Sequence, residues 1–524
     1  MINPAYPGVY IQELDSGVRT VSGVPTSIAA FVGRAKRGPV NQPVSCFNFG
    51  EFSRRFGGLW TNSTLSYCVD DFYANGGGQC AIVRLFKPKA ASDGYAKLTI
   101  GALKLIASSP GSWGNGLSGK ALHPTTFDPV GAKAAAAKYG LDEDDLFDLI
   151  IEESATGASE VYRNLTVRSD GGERRFDRVF AAQSSLVTAK FDNNGDPILG
   201  SRPAHDAEGK AQDGDDGDAL DDAAYIGSED EKTGIYALKK ADIFNLLCIP
   251  PEQRDGTIGD TVRAAAAKFA KESRSLFIVD PPAAWDAKPD SAAAEVKKAQ
   301  LAKPLVDLST ADYAAVYFPR LKKADKLRSG QIDIFPPCGA VAGVIARTDV
   351  ERGIWKAPAG IGASIAGIDA LTVRMTDGEN GLLNPLGINC LRSLPNIGQV
   401  VWGARTAKGS DQLSDDYKYV SVRRLALYIE ESLFRGTQWV VFEGNDEPLW
   451  TQIRLSVGAF MQRLFQQGAF QGTSPREAYF IKCDSETTTQ DDINRGIVNI
   501  LVGFAPLQPA EFVIISIQQI RSAS

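Results

Sequence analysis

Histidine is almost missing from this chain: His123 and His205 are the only two in 524 residues. Histidine is the usual general base and metal ligand near neutral pH, so the commonest chemistry of hydrolases and metalloenzymes has few groups to work with. His123 precedes a proline, His205 lies in a polar tract, and neither has a cysteine or carboxylate at ligand spacing. Paired cysteines are also missing. The seven present (Cys46, Cys68, Cys80, Cys248, Cys338, Cys390, Cys483) are scattered, and none forms a CxxC. That pattern predicts buried free thiols in a reducing compartment. There is no GxxxxGK[ST] phosphate loop, no GxSxG elbow and no HExxH. The glycines of GSWGNG (Gly111, Gly114, Gly116) are wrongly spaced for a dinucleotide loop. No cofactor or metal is therefore expected. No apolar run approaches the roughly 20 residues that span a bilayer, so membrane insertion is not expected. The start, MINPAYPGVY, has no basic or apolar signal region, so no secretory signal is expected. A net charge of −7 argues against a nucleic-acid binder.

What is present is a chain of ordinary globular composition, 44% hydrophobic and 23% charged, long enough for two to four domains. Its ends are unusual. The last stretch reads APLQPAEFVIISIQQI. Phe512, Val513, Ile514 and Ile515 are apolar on every residue, and Ser516, Ile517 and Gln518 then alternate. Behind Pro506 and Pro509 this predicts a strand on a stiff tether with two faces seeking burial. Either it closes the chain's own sheet, or it adds to the sheet edge of another molecule. The N-terminus matches it. In YPGVYIQEL, Val9 and Ile11 share one face and Tyr10 and Gln12 the other. DSGVRTVSGV (15–24) follows as a flexible leash.

Between the ends, SIAAFVG predicts a buried strand. CFNFGEFSRRFGG predicts a helix with Phe49, Phe52 and Phe56 on one stripe, and LSYCVDDFYANGGG a second one. CAIVRLF is a strand, so this part reads as α/β. DIFNLLCIP, TVRAAAAKFAKES and SLFIVDPP read as strand, helix and strand in a parallel crossover, and YAAVYFPRL adds a strand. Two long helices follow. SVRRLALYIEESLFRG has its stripe at Val422, Leu425, Ile429 and Leu433, a phase that predicts exposure of Arg423 and Arg424. EGNDEPLWTQIRLSVGAFMQRLFQQG is capped by Asn445 or Asp446 and carries Pro448 in its first turn. TTTQDDINRG predicts a short capped helix and IVNILVGFAP a strand, so the C-terminal region reads as α+β. Glu430 and Glu431 flank a helix stripe and read as a solvated or interface face rather than a catalytic dyad.

From about Pro110 to Gly234 the composition turns Ala-, Gly- and Asp-rich. This predicts an inserted peripheral unit, dispensable between 125 and 228. Within it Asp213, Asp215, Asp216, Asp218, Asp221, Asp222, Glu229, Asp230 and Glu231 crowd a window that reads as a self-repelling solvated loop. A calcium loop would need glycine at its sixth position and a closing glutamate where Ala224 stands.

Several segments in order resemble contractile tail sheath proteins of phages and contractile injection systems. They are YPGVYIQE, TSIAAFVGRAKRGP, NGG with CAIVR after it, SPGSWGN, GAVAGVIARTDVERGIWKAPAG, RRLALYIEESLFRGTQWVVFEGNDEPLW, GTSPREAYFIKCD and the terminal APLQPAEFVIISIQQI. Only about 120–235 has no counterpart. The resemblance implies an α/β and α+β multidomain fold. Its divisions would be an N-terminal strand arm (1–24), a core in two parts (25–108 and 235–395), a peripheral insertion (109–234), a tube-facing C-terminal domain (396–508) and a C-terminal strand arm (509–524). It implies a structural subunit, not an enzyme. Hexameric rings would stack around an inner tube and contract to drive that tube through a target envelope. Partners would be other copies of the chain, the inner tube protein, baseplate proteins and a tail-terminator or cap. Assembly would occur in the bacterial cytoplasm, into a virion tail or injection particle. Val9, Tyr10, Ile11, Phe512, Val513, Ile514, Ile515 and Ile517 would be the exchanged strand residues, with hinges at 15–24 and 506–510. Arg423, Arg424, Arg454, Arg463 and Arg495 would be tube-facing. The rival readings are an α/β enzyme using a carboxylate site and a surface adhesin with the insertion as its receptor-binding tip.

Overall fold

The computed structural model describes residues 20–192, 195–409 and 415–512. The chain divides into two compact units. One is Ser27–Arg347 with Ala359–Gly409, and the other gathers Thr348–Pro358 with the described residues of both chain ends.

The first unit is built on an eight-stranded sheet. Its spatial order is Gly398–Val401, Ile388–Leu394, Ala314–Phe318, Leu276–Val279, Leu246–Cys248, Ala29–Gly33, Cys80–Arg84 and Val44–Cys46. The six inner strands are parallel, and the two edge strands run antiparallel to their neighbours. The inner strands are apolar without alternation, AAFVG, LFIV and AAVYF, as strands covered on both faces must be. The crossover expected around the Ala-rich helix is present. Asp260–Glu272 joins two parallel neighbours and buries Val262, Ala266 and Phe269 against Val32, Leu247 and Phe277. Each large side chain so covered contributes about 1.5–3 kcal/mol. On the helix Leu65–Ala74 the backbone is approached closely by the helix that starts at Cys338. A Cβ on Gly339 would lie 2.0 Å from the Cys68 carbonyl oxygen, and one on Gly343 2.5 Å from that of Phe72. Two glycines one turn apart thus permit a crossing that side chains would block. All seven cysteines are buried and free.

The same unit contains a second hydrophobic cluster with its own sheets. Lys97–Ile100, Leu103–Ala107 and Val187–Ala189 form one, and Glu208–Lys210, Leu117–Leu122, Phe147–Glu153 and Ala158–Leu165 the other. Leu98, Leu105, Phe147, Leu149, Ile151, Phe176 and Phe180 are buried together there. The cluster runs from Ala96 to Ala211. Residues 96–108, placed by the sequence reading in the core's first part, therefore pack in this second cluster instead. A cut at 125–228 would leave Leu98, Leu105 and Leu117 without Phe147 and Phe176, and would strip Tyr225 from the main core.

The acidic window is not a self-repelling loop. Lys87 lies 2.7 Å from Asp221, and Lys89 lies 3.5 Å from Asp215. Asp216 accepts from both the amide (2.8 Å) and the hydroxyl (2.9 Å) of Ser112, and Asp221 caps the helix Asp222–Ile226. Lys87 and Lys89 lie far upstream of their partners, out of reach of a local reading, whereas Glu229 pairs with the nearby Lys239. Among the described residues no cluster of three or more His, Cys, Asp or Glu could hold a metal ion.

The second unit holds the helices Val420–Gly436 and Glu447–Gln466 and a hairpin sheet of Tyr479–Lys482 and Leu501–Phe504. Asp446 is the N-cap of the longer helix, accepting from the Leu449 amide at 3.1 Å, with Pro448 in the first turn. Thr489 and Asp492 form a capping box for Gln490–Asn494. Ile429, Ile453, Val457, Phe460, Met461 and Leu464 are buried together.

Candidate assembly surface

The hairpin strands pair Tyr479 with Phe504, Phe480 with Gly503, Ile481 with Val502 and Lys482 with Leu501. Among the described residues this sheet has two strands only. One face leans on the core helices: Ile481, Val502 and Phe504 are half-buried against the cluster around Phe460 and Met461. Phe470 packs its ring on Tyr479 and Phe504. On the outer side Phe480 is 50% and Leu501 52% exposed. A two-stranded sheet is marginal alone, and each outer edge offers every second N–H and C=O to a further strand.

Residues 20–26 and 505–512, the described parts of the two chain ends, belong to the same unit as this hairpin. At the N-terminal side the leash is shorter than expected. Val21 is fully buried in the helical core, its carbonyl accepts from Arg463, and the Val24 amide donates to the Ser432 hydroxyl. Residues 21–24 are thus pinned rather than hinged, because a β-branched side chain found an apolar socket. At the C-terminal side Pro506 bridges Phe470, and Phe512 ends the described chain 74% exposed. Val9, Tyr10, Ile11, Val513, Ile514, Ile515 and Ile517 lie outside the described residues.

The five arginines do not share one surface. Arg423 and Arg424, expected to be exposed, are 3% and 2% exposed. The first turns of their helix are buried nearly all round, from Val420 to Leu427, so a one-stripe phase argument fails there. Arg424 makes a bidentate pair with Asp349 at 2.6 and 2.7 Å and donates to the Thr26 carbonyl. The Arg423 guanidinium lies 4.4 Å over the Tyr417 ring and 3.4 Å from Glu430. Arg454 is half-buried, bonded to Glu447 and the Cys483 carbonyl. Arg463 is exposed and anchors Val21, while Arg495 is exposed beside Asp491 at 3.8 Å.

Residue types alone did not point to Phe442. It is fully exposed on the loop after the first long helix, and its backbone is left-handed at φ 70°. A bulky residue in that region is strained, and such outliers gather at functional positions. The only sequence signal was the apolar VVF set directly before EGND.

At the carboxyl ends of the parallel strands, where α/β enzymes place ligands, a pocket of about 360 Å³ is lined by Arg254, Asp255, Asp286, Arg320 and Asp333, while the switch in strand order itself carries an internal ion pair. The order switches between Ala29–Gly33 and Leu246–Cys248. Just past them Arg34 pairs with Glu252, donates to the Asp216 carbonyl at 2.7 Å and lies over the Trp60 ring. Glu252 also accepts from the Leu220 amide. The Arg34 guanidinium and the Glu252 carboxylate are thus satisfied by the chain's own groups.

Two family models match the chain. Residues 225–407 match the phage tail sheath protein central domain, and 412–520 the phage tail sheath C-terminal domain. Together they span more than half of its length. The chain belongs to the tail sheath protein family. The tail sheath protein of Burkholderia phage BcepMu is 22% identical over 480 residues, covering 89% of this chain and 87% of that one. The helical sheath of the anti-feeding prophage in its contracted state superposes with a TM-score of 0.57 at 22% identity, over 98% of this chain and 99% of that one. The sheath tail protein from Listeria innocua gives 0.61 at 12% identity over 93% and 96%. The α/β multidomain fold of this sheath chain is therefore shared at low sequence identity.

Proposed function

We propose that this sheath protein polymerises around an inner tube, as stacked hexameric rings knitted by exchanged terminal strands, and contracts when a baseplate triggers it. The observation that carries the reading is the hairpin, which among the described residues has two strands only, in a chain whose two end sequences are rich in β-formers. A neighbour's terminal strand would complete the sheet and cover Phe480 and Leu501. Strand donation is head-to-tail, and repeated without closure it gives a helical filament. Contraction then needs neither nucleotide nor catalytic group. Subunits rotate to bury more interface while the strands keep them joined. Pinning of residues 21–24 moves the N-terminal hinge to 15–20. The C-terminal hinge stays at 506–510, and the tail-terminator or cap closes the free end. With Arg423 and Arg424 buried, tube contact falls to Arg454, Arg463 and Arg495, with Phe442 as an apolar addition.

Electron microscopy of the purified full-length protein tests this reading. Hollow tubes of stacked rings are expected. Discrete particles at every concentration would overturn self-polymerisation and return the enzyme and adhesin readings.

A further inference from the structure

The chain's two histidines, 82 residues apart in sequence, meet in the fold with ring centroids 5.4 Å apart. Their hydrogen bonds define their protons. His205 Nδ1 lies 2.9 Å from the His123 amide nitrogen, so it accepts and carries no proton. His123 Nε2 lies 2.9 Å from the Pro203 carbonyl oxygen, an obligate acceptor, so that nitrogen carries the proton. The remaining nitrogen of His205, Nε2, faces the Asp206 carboxylate at 3.5 Å.

We propose that His205 is a proton-operated clasp between the end of the Leu117–Leu122 strand and the segment leading into Glu208–Lys210. In the neutral state its Nδ1 holds the His123 amide. Imidazoles ordinarily take up a proton between about pH 5 and 8. The one basic lone pair of the neutral His205 ring is the one that holds the His123 amide, so protonation sets two N–H groups against each other. Binding a proton and holding His123 are mutually exclusive.

The surroundings decide where the charged ring goes. Asp206 is held in the left-handed region at φ 58° and is bonded to Lys120 at 3.0 Å. Lys120 also reaches Glu208 at 3.2 Å, and Arg202 lies 3.6 Å from Asp144. The Lys120 ammonium keeps the Asp206 carboxyl below its usual range. The charged ring keeps its Nε2 facing Asp206 and loses His123, and a charged His123 beside it adds repulsion. The strand-end pairs between Ala121 and residues 206–207 are next to open. This clasp is independent of the assembly reading.

Amide hydrogen exchange of the full-length protein, corrected at each pH for the rate of a free amide, tests the clasp. The His123 amide is expected to be protected near pH 8 and to exchange at least about tenfold faster near pH 5. In His205→Asn the Oδ1 stands where Nδ1 stood but does not titrate, so protection should persist at both pH values. In His205→Ala it should be lost at both. Equal protection of the wild type at both pH values overturns the proposal. So does loss at low pH in His205→Asn, particularly if His123→Gln abolishes it, since the proton would then act at His123.

Discussion

Arg424 and Asp349 are each 2% exposed at their side chains and bind each other through two hydrogen bonds. Removing one member of such a pair leaves a buried charge without its partner, at a cost of about 3–5 kcal/mol. Arg424→Ala should therefore lower the urea midpoint strongly. Arg424→Met with Asp349→Leu should recover most of the loss, because the desolvation cost disappears with both charges. If the double variant were no more stable than the single one, the pair would hold geometry that apolar side chains cannot. A different buried acid sets a pH dependence. Burial pushes the Asp280 carboxyl up to about 6, against the hydrogen bond it accepts from the Cys338 amide at 2.8 Å. The unfolded carboxyl releases its proton near 3.9. The folded state binds more protons between these values, so stability falls as pH rises from about 4 to 6 and stays lower above it. Asp280→Asn should flatten that fall, by on the order of 1–3 kcal/mol, in melts at a series of pH values. Asp71, also raised to about 6 by burial and opposed by Lys323 at 2.5 Å, supplies a second such slope that the variant retains. At the surface, Arg495→Glu should reduce co-assembly on the tube while sparing tube-free polymers, since exposed pairs are worth about 0–1 kcal/mol each. Normal co-sedimentation with tube protein would remove Arg495 from that contact.

At the scale of elements, the hairpin Tyr479–Lys482 and Leu501–Phe504 is the piece whose own contacts are incomplete. A chain ending at Gln508 retains this hairpin and its packing on Phe470, so it should melt as the full chain does yet sediment as a monomer. Loss of folding in the truncated chain would mean that the terminal strand closes its own core. Folded truncated protein that still formed tubes would remove strand donation from the mechanism. Phe480→Asp makes the same point from the receiving side. The side chain is half exposed, so folding should change by no more than about 1 kcal/mol, while polymerisation is lost. Elements were also where the sequence was most readable. The helices Phe49–Phe56, Asp260–Glu272 and Glu447–Gln466 carry their apolar residues at helical period, and the first and last have their N-caps Asn48 and Asp446 in place. The buried strands announced themselves as short apolar runs between turn residues. Arg423 and Arg424 misled because periodicity reports one buried face, and their helix is covered on more than one.

For the whole molecule, the cluster from Ala96 to Ala211 has its own sheets and its own aromatic core. Excision at those limits, with a short Gly/Ser bridge, should leave a folded protein that still polymerises, assessed by melting and electron microscopy. Excision of 125–228 should instead give insoluble protein, because it exposes half of that core. Equal behaviour of the two deletions would show that the cluster does not fold as a unit. Sequence alone determined the class of each strong element, one parallel crossover, the shortage of catalytic groups and the β-rich chain ends. All of these follow from local pattern and composition. The tertiary structure alone decided that Lys87 and Lys89 pair with acids of the acidic window, that Arg34 and Glu252 pair at the switch in strand order, that Val21 is pinned and that the two histidines meet. Each joins residues far apart in the chain, and no local period encodes which distant side chain will arrive to satisfy a charge, a socket or a lone pair.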